Sequence, residues 1–198
     1  NRINKLKKEI KKVGKQREVQ SSFRKKNNTP LVSIVGYTNA GKSTLLEKIT
    51  ESKTYVANEL FATVDSLQRE LKVDDLSEPI IISDTVGFIQ NLPTTLIDSF
   101  KSTLTVVKEA NLLVHVVDAA SAIPEMHIST VHEILKQIES NVEELLVFNK
   151  IDKIDKASLN FLQEKYENAI FVSSIKQTNL DNLISTITYK IFGNLIEV

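Results

Sequence analysis

The chain has 198 residues, of which 41% are hydrophobic and 25% charged, a composition that excludes a disordered or fibrous protein. No apolar run approaches the roughly 18 residues that a membrane span requires. The absence of cysteine excludes disulfides and thiolate metal sites and fits a reducing compartment. We therefore expect a cytoplasmic, monomeric protein made of one globular domain and an appendage.

Charge is distributed unevenly along the chain. Residues 1–28 contain eleven Lys and Arg against two acidic residues, a balance of +9, and the rest of the chain carries −9. A helix in this segment is predicted by apolar residues spaced three and four apart: Ile3, Leu6, Ile10 and Val13. The segment favours a polyanionic partner, or else it presents a solvated helix face.

We place a basic helical segment and linker at 1–28 and a globular domain at 29–198. Because the sequence begins at Asn1 rather than Met, we expect it to be part of a longer protein.

From Leu31 onward the pattern alternates between strands and helices. Candidate strands fall at residues 31–36, 67–73, 79–84, 112–118, 144–149 and 169–173. Candidate helices fall at residues 42–51, 94–109, 125–139, 156–167 and 179–192. Several strands are nearly continuous apolar runs, as expected of strands covered on both faces. The sequence therefore predicts an α/β domain with a mostly parallel six-stranded sheet and helices on both faces.

Residues 36–43 read G-x-x-x-x-G-K-S between the first predicted strand and the first predicted helix. The two glycines allow a tight turn whose N–H groups point at one anion, and the following helix presents its positive end there. Lys42 can reach the β- and γ-phosphates as a catalytic residue, and Ser43 offers a hydroxyl to Mg²⁺. The predicted phosphate site comprises Asn39, Ala40, Gly41, Lys42, Ser43 and Thr44.

Two further segments are predicted to act on Mg²⁺ and the γ-phosphate. Asp84, in the D-x-x-G at residues 84–87, follows a strand, and its carboxylate is expected to hold Mg²⁺ mainly through water. Gly87 leaves the backbone room to approach a γ-phosphate and to move away when it leaves. The long connection at 52–68 predicts a functional loop. In it the hydroxyl of Thr63, in preference to Thr54, completes the Mg²⁺ shell.

Residues 149–152 read N-K-x-D after the fifth predicted strand. The Asp152 carboxylate can accept two hydrogen bonds from a base that offers a ring N–H beside an amino group, an edge that guanine has and adenine lacks. Asn149, Lys150 and Asp152 therefore predict GTP rather than ATP. The backbone N–H groups of Ser173, Ser174 and Ile175, after the sixth strand, are expected at the guanine O6.

Taken in order, these are the five elements of a Ras-like GTPase, and longer matches resemble the HflX family. They are G-Y-T-N-A-G-K-S-T-L at 36–45, F-A-T-V-D at 61–65, D-T-V-G-F-I-Q-N-L-P at 84–93, F-K-S-T-L at 100–104 and H-V-V-D-A-A at 115–120. The resemblance extends over about residues 20–185. This chain differs from the family pattern at two places. At residues 173–175 S-S-I replaces S-A-K, and at residues 177–179 Gln-Thr-Asn replaces a commoner glycine-containing turn.

The resemblance implies a Ras-like P-loop GTPase domain at residues 29–198. It implies that residues 1–20 are the tail of a basic helical connection from an N-terminal domain that is absent here. HflX-like proteins are ribosome-associated GTPases. The resemblance therefore also implies Mg²⁺, GTP and GDP, a large-ribosomal-subunit or ribosomal-RNA partner, and a role in splitting or rescuing stalled ribosomes.

Phe88 stands where many related GTPases place the glutamine that orients the attacking water. A phenyl ring cannot make that hydrogen bond, so we predict slow intrinsic hydrolysis that a partner accelerates. Two alternatives stay open at this point. One is a nucleotide-responsive ribosome- or RNA-binding module in which hydrolysis is incidental, and the other is a ribosome-assembly GTPase.

The chain contains three histidines. His115 lies within an apolar strand and is predicted to be a core histidine rather than a ligand. His127 and His132 are five residues apart on a predicted helix, a spacing unsuited to shared metal ligation. Asp118 ends a strand near the predicted site, but its position in the sequence assigns it no role.

Overall fold

The computed structural model describes residues 29–51, 68–73, 79–85 and 105–193. Six strands in these ranges form one sheet in the order β2-β3-β1-β4-β5-β6. They are β1 (Leu31–Gly36), β2 (Gln68–Leu71), β3 (Ile80–Asp84), β4 (Leu112–Asp118), β5 (Glu144–Asn149) and β6 (Ile170–Phe171). Strand β2 is antiparallel to β3, and the other neighbouring pairs are parallel. The predicted mostly parallel sheet is confirmed.

Helices in the described ranges are α1 (Lys42–Glu51), α2 (Pro124–Gln137), α3 (Lys156–Lys165) and α4 (Leu180–Phe192), with a 3₁₀ turn at Ile151–Lys153. Pro124 opens α2, where its missing N–H costs no hydrogen bond. Asp155 caps α3 by accepting a hydrogen bond from the Ser158 N–H at 2.7 Å. Of the helix predicted at 94–109, only residues 105–109 are described, and residues 105–108 are helical.

Strand β1 is buried along its whole length because helices cover both faces of the sheet. Val32 and Ile34 pack in a cluster with residues of α1 and α4. Leu31 and Val35 point to the other face and pack with residues of α2. This alternation of side chains along one strand divides the core into two layers and confirms the prediction of helices on both faces.

Strand β6 is two residues long, shorter than the five predicted. The Val172 N–H still donates to the Phe148 carbonyl of β5, at 2.8 Å. Ser173 instead pairs with Thr178, so the chain leaves the sheet to form a loop. The predicted basic helix at residues 1–28 lies outside the described residues. None of the described helices is long and apolar enough to cross a membrane.

Gly36 marks the closest approach of β1 to β4. Its φ is +151°, and a Cβ built there would overlap the carbonyl oxygen of Val116, its partner across the sheet. The neighbouring backbone belongs to a central strand and cannot move aside, so this position needs glycine.

We expect Gly36→Ala to lower the free energy of unfolding by about 2–4 kcal/mol, because the added methyl group meets backbone atoms and the φ is unfavourable. Urea unfolding measures the change. Gly193→Ala is the matched control, since the atoms nearest its Cβ belong to the exposed Tyr189 ring, which can rotate away. Its effect should stay within about 0.5 kcal/mol. Equal losses in both variants would contradict the steric explanation.

Candidate functional site

The predicted site residues come together at one edge of the sheet. Gly36, Asp84, Asp118 and Asn149 are the last residues of β1, β3, β4 and β5. Asp118 and Asn149 are direct partners in the parallel register of β4 and β5. In open α/β sheets, ligands bind outside the carboxyl ends of the strands, at the point where the strand order reverses. Here that point lies at β1, which has β3 on one side and β4 on the other.

The loop from β1 to α1 has the backbone of an anion site. Asn39 and Gly41 adopt left-handed φ values of 61° and 94°. The Ala40 N–H donates to the Tyr37 carbonyl at 3.3 Å, and the first bond of α1 runs from the Leu45 N–H to the Gly41 carbonyl. The N–H groups that open a helix have no acceptor within it and are available to a phosphate.

Lys42 is only 6% exposed although it carries a charge. Its Nζ donates a hydrogen bond to the Tyr37 carbonyl at 2.9 Å. Burial lowers the pKa of Lys42 to about 8, and the nearby Asp84 carboxylate offsets part of that fall. A polyanion beside the ammonium group would stabilise its charged form.

Asp84 and Ser43 form the second polar pair of the site. The Ser43 hydroxyl donates to Asp84 Oδ2 at 2.6 Å. Burial raises the pKa of Asp84, although Ser43, Lys42 and the Thr85 N–H all act in the opposite direction. Among the described residues, Asp84 Oδ1 is buried and has no hydrogen-bond partner. This carboxylate oxygen, which receives no hydrogen bond from the described residues, lies beside a serine hydroxyl. Two oxygen ligands of this kind suit Mg²⁺ or its water shell.

Asn149 joins the phosphate-binding loop to the loop after β6. Its side chain is 1% exposed, and its Nδ2 donates to the Ala40 carbonyl at 3.1 Å. Its Oδ1 accepts from the Lys150 N–H at 2.8 Å, the Ser174 N–H at 3.0 Å and the Ser174 hydroxyl at 2.9 Å. A Cβ on Gly41 would overlap the Asn149 amide, so the second glycine of the motif makes room for this side chain.

The Lys150 side chain reaches across the phosphate-binding loop between β1 and α1. Its φ is 66°, and its Nζ donates to the Asn39 carbonyl and to Asp118 Oδ2, each at 2.6 Å. Asp118 Oδ1 accepts from the Ala120 N–H at 2.9 Å, which fixes the carboxylate. Asp118 thus holds the lysine of the N-K-x-D motif across the phosphate loop. This role was not predicted, since sequence position shows only that Asp118 ends a strand near the site.

Ser173 and Ser174 are buried, whereas the Ile175 side chain is 62% exposed. The Ser173 hydroxyl donates to Asp152 Oδ1, and the Lys176 N–H donates to the Ser173 hydroxyl. Because its side chain is exposed, Ile175 would contribute its backbone N–H, and not its side chain, to the predicted base contact. Gln177 and Asn179 adopt left-handed φ values of 54° and 60°. That conformation accounts for the commoner glycine in this turn.

A stacked ring pair that the sequence did not suggest lies beside the phosphate loop. Tyr37 and His127 stack with centroids 4.0 Å apart and planes 8° apart. His127 Nδ1 also lies 3.4 Å from the Ser121 hydroxyl. The contact anchors α2 to the loop. Thr63, Gly87 and Phe88 lie outside the described residues.

Residues 31–150 match the 50S ribosome-binding GTPase family. The chain is 38% identical over 200 residues to GTPase HflX of Escherichia coli, a match that covers 100% of this chain and 47% of that protein. It is 48% identical over 152 residues to GTPase HflX of Flavobacterium psychrophilum, covering 76% of this chain and 36% of that protein. The chain thus spans less than half the length of these relatives.

A solved structure resembles the whole fold. It is a GTP-binding protein from the hyperthermophilic archaeon Sulfolobus solfataricus in complex with GDP. The two sequences are 27% identical, and the TM-score is 0.63. The match covers 96% of this chain and 57% of the Sulfolobus solfataricus chain. The Ras-like α/β fold that was predicted is confirmed.

We expect Asp118→Asn to raise the dissociation constant for GDP about 3- to 10-fold, on the order of 1 kcal/mol. Asparagine retains an oxygen for the Ala120 N–H but loses the charge that holds Lys150. Fluorescent GDP titration measures the effect, and Asp181→Asn, an exposed acidic residue in the first turn of α4, is the control. A double-mutant cycle with Lys150→Met should show coupling; strictly additive losses would contradict the assigned role.

Proposed function

We propose a function from one premise: this chain belongs to the 50S ribosome-binding GTPase family and is a G domain of the HflX family. It binds GTP with Mg²⁺ through residues 29–198 and hydrolyses GTP slowly to GDP and phosphate. It acts in the cytoplasm as a switch on the large ribosomal subunit and serves to split or rescue stalled ribosomes.

The observation that carries this proposal is the direct link between the phosphate and base halves of the site. The Asn149 side chain bonds to the Ala40 carbonyl on one side and to Ser174 on the other. Lys150 adds a second link, to the Asn39 carbonyl. A nucleotide has a phosphate tail and a base at a fixed separation, so a site that holds both loops in register fits one molecule that spans them.

Phosphate chemistry falls to Lys42, Ser43 and Asp84. The Lys42 ammonium stabilises the charge that develops on the transferred phosphoryl group. Ser43, Asp84 and Thr63 would hold Mg²⁺, which would neutralise part of the phosphate charge. The unpartnered Asp84 Oδ1 in the described part of the chain supports that assignment. Gly87, in the predicted role, would let the backbone approach the γ-phosphate.

Selection of guanine falls to Asp152 and the loop after β6. Asp152 accepts a hydrogen bond from Ser173, which orients its carboxylate, and it has further lone pairs for the N–H and amino group of guanine. We assign the N–H groups of Ser174 and Ile175 to the guanine O6, although the Ser174 N–H also bonds to Asn149. Adenine would leave these groups unpaired, which disfavours ATP.

Charge supports the ribosomal part of the proposal. Residues 1–28 carry a balance of +9, which suits contact with the phosphates of ribosomal RNA. Phe88 supports slow intrinsic hydrolysis, because a water-orienting side chain must then come from elsewhere or be ordered by the partner.

We expect Asp152→Asn to lower the affinity for GDP at least about 100-fold and to raise that for the xanthine analogue. The asparagine amide faces the guanine amino group with a donor, whereas xanthine offers an oxygen at that position. Competition titration with GDP, XDP and ADP measures the change. Asp155→Asn, at the α3 cap three residues away, is the control. An unaltered preference for GDP would remove Asp152 from the base site.

The proposed switch is tested by phosphate release from GTP, with and without purified large ribosomal subunits. We expect slow turnover by the chain alone and a clear increase with subunits, because the partner completes water positioning. Lys42→Ala is the control and should abolish both rates. If subunits bind the chain only with GTP yet leave the rate unchanged, the nucleotide-responsive binding module is the better description. If the subunits neither bind the chain nor accelerate GTP hydrolysis, the proposed ribosomal role of this chain is wrong.

A further inference from the structure

Three polar side chains converge beneath α2, away from the nucleotide site. His115 lies in the middle of β4, Glu144 begins β5, and His132 lies in α2. His115 Nδ1 is 2.8 Å from Glu144 Oε1. His132 Nε2 is 3.1 Å from both Glu144 oxygens. Each of the three residues offers a ligand atom, and these atoms all lie within 4.8 Å of one another.

The sheet register and the packing of α2 create this cluster. Glu144 pairs with Leu113 and His115 pairs with Leu146, so Glu144 and His115 are diagonal neighbours on adjacent strands. Val131 of α2 belongs to the same core cluster as Leu113, and the adjacent His132 reaches Glu144 at the start of β5. The two imidazole rings meet edge to face, with centroids 5.7 Å apart. All three residues are thus held by regular secondary structure.

Core packing alone does not account for the cluster. His115 is fully buried, and its Nε2 has no hydrogen-bond partner among the described residues. A hydrocarbon side chain would fill this position on the apolar α2 face without leaving a buried nitrogen unsatisfied.

We propose that His115, His132 and Glu144 form a binding site for a divalent transition-metal ion of the Zn²⁺ class. A tetrahedral ion with bonds of about 2.0–2.1 Å keeps its ligand atoms about 3.3 Å apart. The two separations that involve Glu144, 2.8 and 3.1 Å, are close to that value. The ligand nitrogens of His115 and His132 lie within 4.8 Å of each other, and the exposed His132 ring can move toward the ion. One ion shared among the three groups would replace the hydrogen bonds that they now make.

The ligand chemistry identifies the class of metal. Two imidazole nitrogens with one carboxylate suit Zn²⁺ and its neighbours in the first transition row, whereas Mg²⁺ and Ca²⁺ prefer oxygen ligands. The His132 side chain is 52% exposed, so water can reach the fourth position from that side. This donor set differs from Ser43 and Asp84, and the two sites should therefore select different metals.

Metal at this position would join β4, β5 and α2. The same strands end in Asp118 and Asn149, and α2 also carries His127, which stacks on Tyr37 of the phosphate loop. An ion that binds only the folded chain stabilises it by mass action. We therefore expect Zn²⁺ to raise the unfolding temperature of the protein loaded with Mg²⁺ and GDP.

The test is calorimetric titration of the metal-stripped 198-residue chain with Zn²⁺, in the presence of saturating Mg²⁺ and GDP. Saturation occupies the nucleotide site, and the chain has no cysteine and one histidine, His127, outside the proposed site to compete for the ion. We expect one Zn²⁺ per chain with micromolar affinity. Co²⁺ in place of Zn²⁺ should give the visible absorption of a four-coordinate site.

His132→Ala and Glu144→Gln should each weaken Zn²⁺ binding at least about 10-fold and remove the thermal shift. Both residues are partly exposed, so the variants should still fold, and GDP affinity verifies this. His127→Ala is the matched control, because this histidine lies on the same helix but outside the cluster. It should retain Zn²⁺ binding. Absence of binding by the parent chain, or binding retained in the His132→Ala, Glu144→Gln double variant, would overturn the proposal.

Discussion

The side chain of Asn149 is almost fully buried, so its amide nitrogen and oxygen must find their partners within the protein. They find them in two loops far apart in sequence: the Ala40 carbonyl and the Ser174 N–H and hydroxyl. A buried polar group left unpaired costs about 1–3 kcal/mol. Each loop is therefore held in the one position that satisfies Asn149, and the phosphate and base halves of the site form a single unit.

That unit depends in turn on the spacing of the strands. Gly36 lets β1 approach β4, and Gly41 leaves room for the Asn149 amide. The register of β4 and β5 places Asp118 beside Asn149, from which it reaches Lys150. A shift of register by one residue would turn these side chains to the opposite face of the sheet. The apolar core thus sets the geometry of a polar site at its edge.

Most of the sheet and the nucleotide-binding motifs could be predicted, because each of them consists of consecutive residues. The strands appear as apolar runs, and the phosphate and base motifs are short segments at strand ends, where the topology brings them together. The five-residue estimate for β6 was wrong because Ser173 pairs with Thr178 instead of continuing the sheet. The sequence pattern could not show that the loop's own hydrogen bonds would replace those of the strand.

The features that sequence reasoning missed depend on contacts between distant elements. Asp118 gains its role from Lys150, and Tyr37 meets His127 only because α2 packs beside the phosphate loop. The expectation that His115 is buried in the core is confirmed, but its partners come from β5 and α2. Spacing along one helix reveals ligands that share that helix. It carries no information about ligands that the sheet register brings together.

Electrostatics explains why the phosphate site is built from opposite charges that do not pair with each other. Burial shifts Lys42 and Asp84 toward their neutral forms, with the pKa of the lysine lowered to about 8 and that of the aspartate raised. Their polar contacts go to the Tyr37 carbonyl and the Ser43 hydroxyl. Phosphate oxygens beside Lys42 and a divalent cation beside Asp84 would favour the charged form of each. A nucleotide with its metal therefore supplies both counter-charges, and part of its binding free energy comes from stabilising charges that the fold has already buried.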